Sequence, residues 1–336
     1  FNRDYTPFAI KRDAAITEWC EKHGINVITE EDYTLHEMGK IVNGSGKPYQ
    51  VYTPFYKAVL KTPVKKPVTI NIHKVHIIQS VTKFNKHRYY KPNPDIAIHG
   101  GRNNALKRMK MNYGTYSKDR DYPAKDKTTK LSAYIKFGCV SIREVFHHYA
   151  KQKNKGLIRE LIWREFYANI MYYFPHILGN SFKKKYDKVK WSNNKEWFKA
   201  WCDGTTGFPL VDAGMKQLNK TGYMHNRCRM IVASFLTKDL LIDWRWGEQY
   251  FAKHLVDYDP ASNNGGWQWS ASCGTDAQPY FRIFSPDLQL KKYDKDLEYV
   301  KKWNPNYKDI KPIIDHSTRA KIAIKVFANA AQSSGD

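Results

Sequence analysis

The stretch NNGGWQWSASCGTDAQPYFRIFSP, residues 263–286, combines features that rarely occur together. Its Gly, Asn and Ser interrupt any regular period, which predicts a structured loop rather than a helix or strand. It also carries two Trp, a Tyr and two Phe, side chains that a solvated loop would not expose. An irregular polar backbone packed with aromatics either lines a site for a flat ligand or plugs a helical core. These residues alone leave both readings open. Trp267 and Trp269 lie two positions apart, so in an extended stretch they point to opposite sides and serve different neighbours.

Upstream of this stretch the pattern is helical. Apolar spacing predicts helices over 104–113, 141–152, 156–174, 194–203, 208–220, 223–239 and 244–255, with few strand signals beyond Asn104. The expectation is a mainly α chain whose all-helical domain spans 104–336. The segment DAAITEWCEKH, residues 13–23, also has helical periodicity, and Gly24 ends it. The apolar run INVIT at 25–29 follows as a short buried strand. Residues 1–50 therefore read as a remnant of an α/β domain, too small to stand alone. Residues 51–103, rich in Pro, Lys and His from 63 onward, read as a long linker.

The chain has 336 residues and a net charge of +24, which favours an anionic polymer, nucleic acid ahead of membrane, as partner. AT-rich coding would also enrich Lys, Asn, Ile and Tyr without any selection for DNA binding. The Trp residues are not explained that way, since 8 of 10 fall between Trp163 and Trp269. The five Cys lack CxxC spacing and are odd in number, the pattern of reduced thiols in an intracellular protein with no metal site. No apolar run reaches bilayer-spanning length and no signal peptide is visible. The first residue is Phe, not Met, as expected of a piece of a longer protein.

Several constellations could carry chemistry. Thr128, Thr129, Lys130, Leu131 and Ser132 sit where a basic loop enters an amphipathic stretch. Hydroxyls and backbone N–H groups there would hold an anion, although an ordinary helix cap is the plainer reading. In 156–174, Glu160, Trp163, Arg164 and Tyr167 share one helical face. A carboxylate, an indole, a guanidinium and a phenol make poor core but a good polar cavity with an aromatic wall. Asn226, Arg229 and Met230 share a face in the same way. Asp257 and Asp259 flank Tyr258, and acids so placed in a basic chain invite partners such as Arg229.

Together these blocks resemble the DNA photolyase and cryptochrome family, and within it the class I photolyases that repair cyclobutane pyrimidine dimers. The resemblance runs from about Phe1 to about Asp294. It rests on YxxxRDYP at 116–123, TTKLS at 128–132, ELIWREFY at 160–167 and TGYMHNRCRMIVASFLTKDLLIDWR at 221–245. DxDxxxNNGGWQW at 257–269 and GTDAQPYFRIFSP at 274–286 complete it.

The resemblance implies FAD folded within the all-helical domain. Tyr116 and the run Thr128, Thr129, Lys130, Leu131 and Ser132 match positions that hold its phosphates. Lys130 stands where the family usually has Arg, which removes a bidentate contact. Arg164, Arg229, Asp257, Asp259 and Asn263 match flavin contacts, with Asn263 facing flavin N5 as in photolyases. Glu160, Trp163, Asn226, Met230 and Trp269 match the pocket that receives a flipped-out dimer. In (6-4) photolyases two His replace Asn226 and Met230, so the cyclobutane type is implied. Trp191, Trp244 and Trp267 match the indoles that pass electrons to the flavin, and Arg120 and Gln289 match DNA contacts. The implied activity is light-driven repair of UV-damaged DNA. The alternatives are a cryptochrome-like photoreceptor, a (6-4) photolyase or an inactive flavoprotein.

The family's N-terminal α/β domain often holds an antenna chromophore. Its start is not matched here, so a separate N-terminal fragment is a possible partner. Phe8, Ala9, Leu178 and Gly179 stand where folate-binding members have polar ligands, so no folate of the usual kind is expected and the antenna stays open. The compartment, cytoplasm or nucleus, is not distinguishable from the sequence.

Overall fold

The computed structural model describes residues 1–68 and 92–332. The chain enters through α1 (Pro7–Lys22), capped by the Thr6 hydroxyl, and α2 (Tyr52–Lys61). Next come α3 (Arg102–Met109), the single turn α4 (Tyr116–Asp119), α5 (Ser132–Lys136) and α6 (Ile142–Lys151). The central helix α7 (Lys155–Tyr173) starts on an Asn154 cap. It is followed by α8 (Lys195–Asp203), α9 (Pro209–Thr221) and α10 (Asn226–Ser234). A π turn, Phe235–Asp239, extends α10. The chain continues through α11 (Trp244–His254), α12 (Pro260–Ser270), α13 (Pro286–Tyr293), α14 (Glu298–Trp303) and α15 (His316–Gln332). The mainly α expectation holds. No helix among the described residues is long and apolar enough to cross a membrane.

Three expectations need correction. The stretch opening at Asn263 is not all loop, because α12 runs through Ser270. Pro260 pre-sets its first turn and the Asp259 side chain caps it at Ser262 N. Packing then overrides poor local propensity. A Cβ on Gly265 would lie 2.1 Å from Tyr167 of α7, and one on Gly247 of α11 would lie 2.1 Å from the Trp267 ring. Gly265, which looks like a loop signal, is therefore where α12 touches α7. Only residues beyond Ser270, up to Ser285, lack regular structure.

The buried strand at 25–29 does not form. Residue 30 makes one isolated parallel bridge, to Asn2, and Ile28 is 74% exposed. Phe1 and Arg3 pair with the end of this run through hydrogen bonds, but Ile25 and Ile28 stay exposed and no strand forms. The expected linker also begins with an ordered helix. Phe55 and Val59 of α2 are buried in the same core as Ile162 and Phe166 of α7. The part of the expected linker at 69–91 lies outside the described residues.

Two apolar cores meet along α7, α10 and α12. One gathers Leu35, Phe55, Tyr149, Ile162 and Phe166. The other gathers Trp201, Leu218, Phe235, Trp244, Trp267 and Phe327. The functional cavity opens at their seam.

Candidate functional site

A cavity of about 490 Å³ lies between the two cores. It is lined by Leu161 and Tyr149 from one side and by Met224, Phe251 and Trp267 from the other. Its volume is in the range of ordinary small-molecule sites.

Two ion pairs build its floor. Arg229 Nη2 donates to Asp257 Oδ1 at 3.0 Å and Oδ2 at 2.9 Å. Its Nε donates to the Met224 carbonyl at 2.8 Å. The Ser132 hydroxyl donates to Asp257 Oδ2 at 2.6 Å, tying α5 to the same carboxylate. Burial works against the Arg229 charge, but Asp257 and Tyr223 outweigh it and hold the guanidinium pKa above its ordinary value. In the second pair Arg164 Nη2 lies 3.3 Å from Asp259 Oδ2, and Nη1 donates to the Tyr33 carbonyl. Tyr33 donates its hydroxyl to Asp259 Oδ2 at 2.9 Å, and its ring lies 4.3 Å beneath the guanidinium. Burial raises the Asp259 pKa, but Arg164 and Lys136 overcome it, so the carboxyl titrates below its usual value. Both floor carboxylates are buried, each with a guanidinium beside it.

Along one edge run Tyr116 and residues 128–132, all lining the cavity. Lys130 has φ +53° and Leu131 follows in the right-handed region, φ −79° and ψ −10°. That alternation turns successive N–H groups toward one side, a concavity suited to an anion. Lys130 Nζ is engaged by Asp126 at 2.7 Å.

The mouth is built differently. Glu160 is ion-paired with Arg120; burial raises its pKa, with Arg120 opposing. Among the described residues Asn226 Nδ2 has only the Met230 sulfur at 3.7 Å, a weak acceptor. Trp163 and Trp269 line the same opening. Asn263, which lines the cavity, donates its amide to the Glu248 carbonyl at 3.1 Å, a bond that fixes the side chain. A Cβ on cavity-lining Gly266 would meet nothing within 4 Å, so a flat ring can approach the backbone there.

The structure brings together in one cavity the residues expected at 116, 120, 128–132, 160, 163, 164, 226, 229, 230, 257, 259, 263, 267 and 269. Trp244, Trp191 and Gln289 stand outside its lining. Trp267 is 2% exposed and Trp244 is wholly buried, whereas Trp191 is half-exposed. Trp267 thus stands at the cavity wall, Trp244 within the core and Trp191 nearer the surface. Trp201 also touches Trp267, with ring centroids 6.0 Å apart. Gln289 sits on α13.

Residues 157–331 match the FAD binding domain of DNA photolyase, and residues 1–70 match the DNA photolyase family. The chain belongs to the DNA photolyase family. A deoxyribodipyrimidine photo-lyase from Alkalihalophilus pseudofirmus is 38% identical over 94% of this chain and 75% of its own length. An archaeal photolyase from Sulfolobus tokodaii, solved with two FAD molecules, superposes with a TM-score of 0.87 at 37% identity, covering 98% of this chain and 78% of that one. A Synechocystis cryptochrome shares the fold at 25% identity with a TM-score of 0.86, covering 97% of this chain and 78% of that one.

The cofactor that this photolyase family implies fits the cavity. A cationic, hydroxyl-bearing edge suits phosphates, and fixed ion pairs with an open glycine face suit a polar ring system. The buried Trp267 indole N–H, at the cavity wall, has no protein partner among the described residues, so a ligand acceptor could satisfy it. Sequence reasoning missed Tyr33, which is 131 positions from the Arg164 it supports. It also missed Asp121, which accepts from Arg227 at 2.8 Å beside the mouth. Nothing in local spacing signals either contact.

Proposed function

We propose that this chain binds FAD in the cavity and uses light to repair cyclobutane pyrimidine dimers in DNA. One observation carries the reading. A floor of locked ion pairs and a mouth of loosely engaged polar and aromatic groups share a single cavity. The floor suits a resident cofactor and the mouth suits a visiting ligand. FAD, when bound and reduced, supplies the light-excited electron.

In this reading Tyr116, the backbone and hydroxyls of Thr128 to Ser132, and Lys130 hold the phosphates. Arg229 and Asp257, with Arg164 and Asp259, orient the flavin ring, and Asn263 presents its amide oxygen to N5. Flipping a dimer out of the duplex costs only about a few kcal/mol because the damaged bases pair poorly. Stacking on Trp163 and Trp269 returns about 1–3 kcal/mol per base. Glu160 and Asn226 hydrogen-bond the pyrimidine edges and Met230 packs on their rings. Arg120 gives up Glu160 as it engages the DNA backbone, and Gln289 makes a second DNA contact. Ring splitting is redox-neutral and needs no net electron supply; Trp191, Trp244 and Trp267 would serve instead as a path for electrons from an external reductant when the bound cofactor is oxidised. The net charge of +24 supports binding to the polyanion.

Asn226 and Met230, where (6-4) enzymes carry His, favour the cyclobutane lesion. The test is direct. The purified chain should carry about one FAD and restore a dimer-containing oligonucleotide under blue light. A folded protein that takes up no FAD on reconstitution, or a flavoprotein that leaves cyclobutane dimers intact, would overturn the proposal.

A further inference from the structure

Trp163 is not held by its own helix alone. Tyr52 of α2 lies flat against it, with ring centroids 3.5 Å apart and planes 2° from parallel. Face-to-face overlap is not the arrangement aromatic pairs choose for themselves; offset or edge-on contacts are preferred. Something must impose it, and two hydrogen bonds anchor Tyr52. Its hydroxyl donates to the Arg159 carbonyl on α7 at 3.0 Å. Its backbone N–H donates to Asp276 Oδ2 at 3.0 Å. Phe166 and Tyr167 close on the Trp163 ring with centroids 5.7 and 5.5 Å away. With one face against Tyr52 and these neighbours around it, the indole keeps its remaining face for the cavity that it lines.

Asp276 adds a second link. No side chain near the start of α2 caps that helix, and Asp276 serves it from 224 positions away. Asp276 belongs to the irregular segment after α12, the helix that carries Trp269. Thr275 of that segment also donates to the Gln50 carbonyl just before α2. The two indole walls of the mouth are thereby joined through α2, by way of Trp163, Tyr52, Asp276 and the segment following Trp269.

We propose that Tyr52 is a positioning residue for the substrate pocket. It sets the plane of Trp163 and, with Asp276, the gap between the two indole walls, so that the mouth accepts a pair of stacked pyrimidines in preference to undamaged nucleotides. This rests on the reading of Trp163 and Trp269 as the walls of the dimer pocket.

The test compares four variants of the full chain loaded with FAD. The readouts are affinity for a dimer-containing oligonucleotide, affinity for the same undamaged oligonucleotide, flavin content and thermal midpoint. Tyr52→Leu keeps an apolar side chain but removes the ring. It should lower affinity for the dimer about three- to tenfold, the fold-change expected of one lost aromatic contact. Affinity for undamaged DNA and flavin content should hold. Tyr52→Phe keeps the ring but loses the hydroxyl anchor to the Arg159 carbonyl, so it should weaken dimer binding in the same direction by less than Tyr52→Leu. Asp276→Asn tests the link, and should weaken dimer binding in the same direction by less. Trp163→Ala separates this inference from the reading beneath it. If Trp163→Ala loses dimer affinity and Tyr52→Leu does not, the pocket stands and the positioning role falls. If neither variant changes dimer affinity, the pocket reading falls and takes the role with it. A Tyr52→Leu protein that loses damaged and undamaged DNA equally, or that loses flavin, also overturns the proposal, since that is the signature of a merely structural residue. Should Tyr52→Leu not fold, Tyr52→Phe and Asp276→Asn decide by their ratio of damaged to undamaged affinity. An unchanged ratio in Asp276→Asn would sink the link.

Discussion

The floor and the mouth of the cavity use the same residue types under opposite conditions. On the floor, the Asp257 carboxylate is only 4% exposed and takes both oxygens to Arg229. Asp259 is held by Arg164, Tyr33 and a helix cap. At the mouth, Glu160 is 34% exposed and paired with Arg120, and among the described residues Asn226 has only a thioether. Buried pairs cannot rearrange cheaply, because separating them leaves a charge without solvent or partner. Half-exposed groups can exchange a protein partner for a ligand at small cost. The difference matches a cofactor that stays and a substrate that comes and goes.

The sharpest way to break this comparison is at the floor. Asp257→Ala strands the Arg229 guanidinium and frees the Ser132 hydroxyl, and loss of one partner of a buried pair costs about 3–5 kcal/mol. The variant should lose most of its flavin and melt earlier, read by absorbance and thermal midpoint. Normal FAD content would show that the floor is not the flavin site. At the mouth, Trp269→Ala should weaken dimer binding by about 1–3 kcal/mol while flavin content stays at the parental level. Equal loss of both would erase the distinction between the two regions.

A smaller effect concerns pH. Burial lifts the Glu160 pKa above its ordinary value, against the pull of Arg120. A raised carboxyl favours folding in its protonated form. That contribution is complete below the unfolded-state pKa and is lost as pH rises through the folded one. Wild type should therefore gain stability relative to Glu160→Gln as pH is lowered from neutral toward the acid range. The difference in thermal midpoint between the two proteins, followed across pH, measures this. A gap that does not change would mean that Glu160 is not desolvated. Asp259, whose folded pKa is lowered, works in the opposite sense. Its stabilisation is present above the ordinary Asp range and disappears as pH falls through the folded value.

The smallest effect on either region is expected from Trp191→Phe, which touches neither. Flavin content, dimer affinity and repair after chemical reduction should be unchanged. Light-driven reduction of the oxidised flavin by an external donor should fail, because Phe is far harder to oxidise than indole. Photoreduction at the parental rate would redirect the path through Trp201, which is already in contact with Trp267.

Helices with strong apolar periodicity were legible. The expected 141–152, 156–174, 194–203 and 244–255 lie within a residue or so of α6, α7, α8 and α11. The expected 223–239 blends α10 with the π turn that follows it, because both repeat near one helical turn. The start of α12 was not legible, since its Gly and Asn lower local propensity and only contacts with α7 and α11 compensate. α2 was hidden for a related reason. Its apolar face is short, and it is stabilised by burial against α7 rather than by its own sequence.

Local spacing determined which side chains share a face. Glu160, Trp163, Arg164 and Tyr167 fall together on α7 because the helix repeats every 3.6 residues. Asn226, Arg229 and Met230 do so on α10 for the same reason. The motif blocks then pointed to the family. What only the tertiary structure decided is which faces meet. It placed Asp257 on Arg229, Tyr33 under Arg164, Arg120 on Glu160 and Tyr52 behind Trp163. Each of these contacts spans at least 28 positions of chain. Such contacts carry no periodic signal. They exist because two apolar cores close on a shared seam, and polar groups trapped there must find partners in whatever element folding brings beside them.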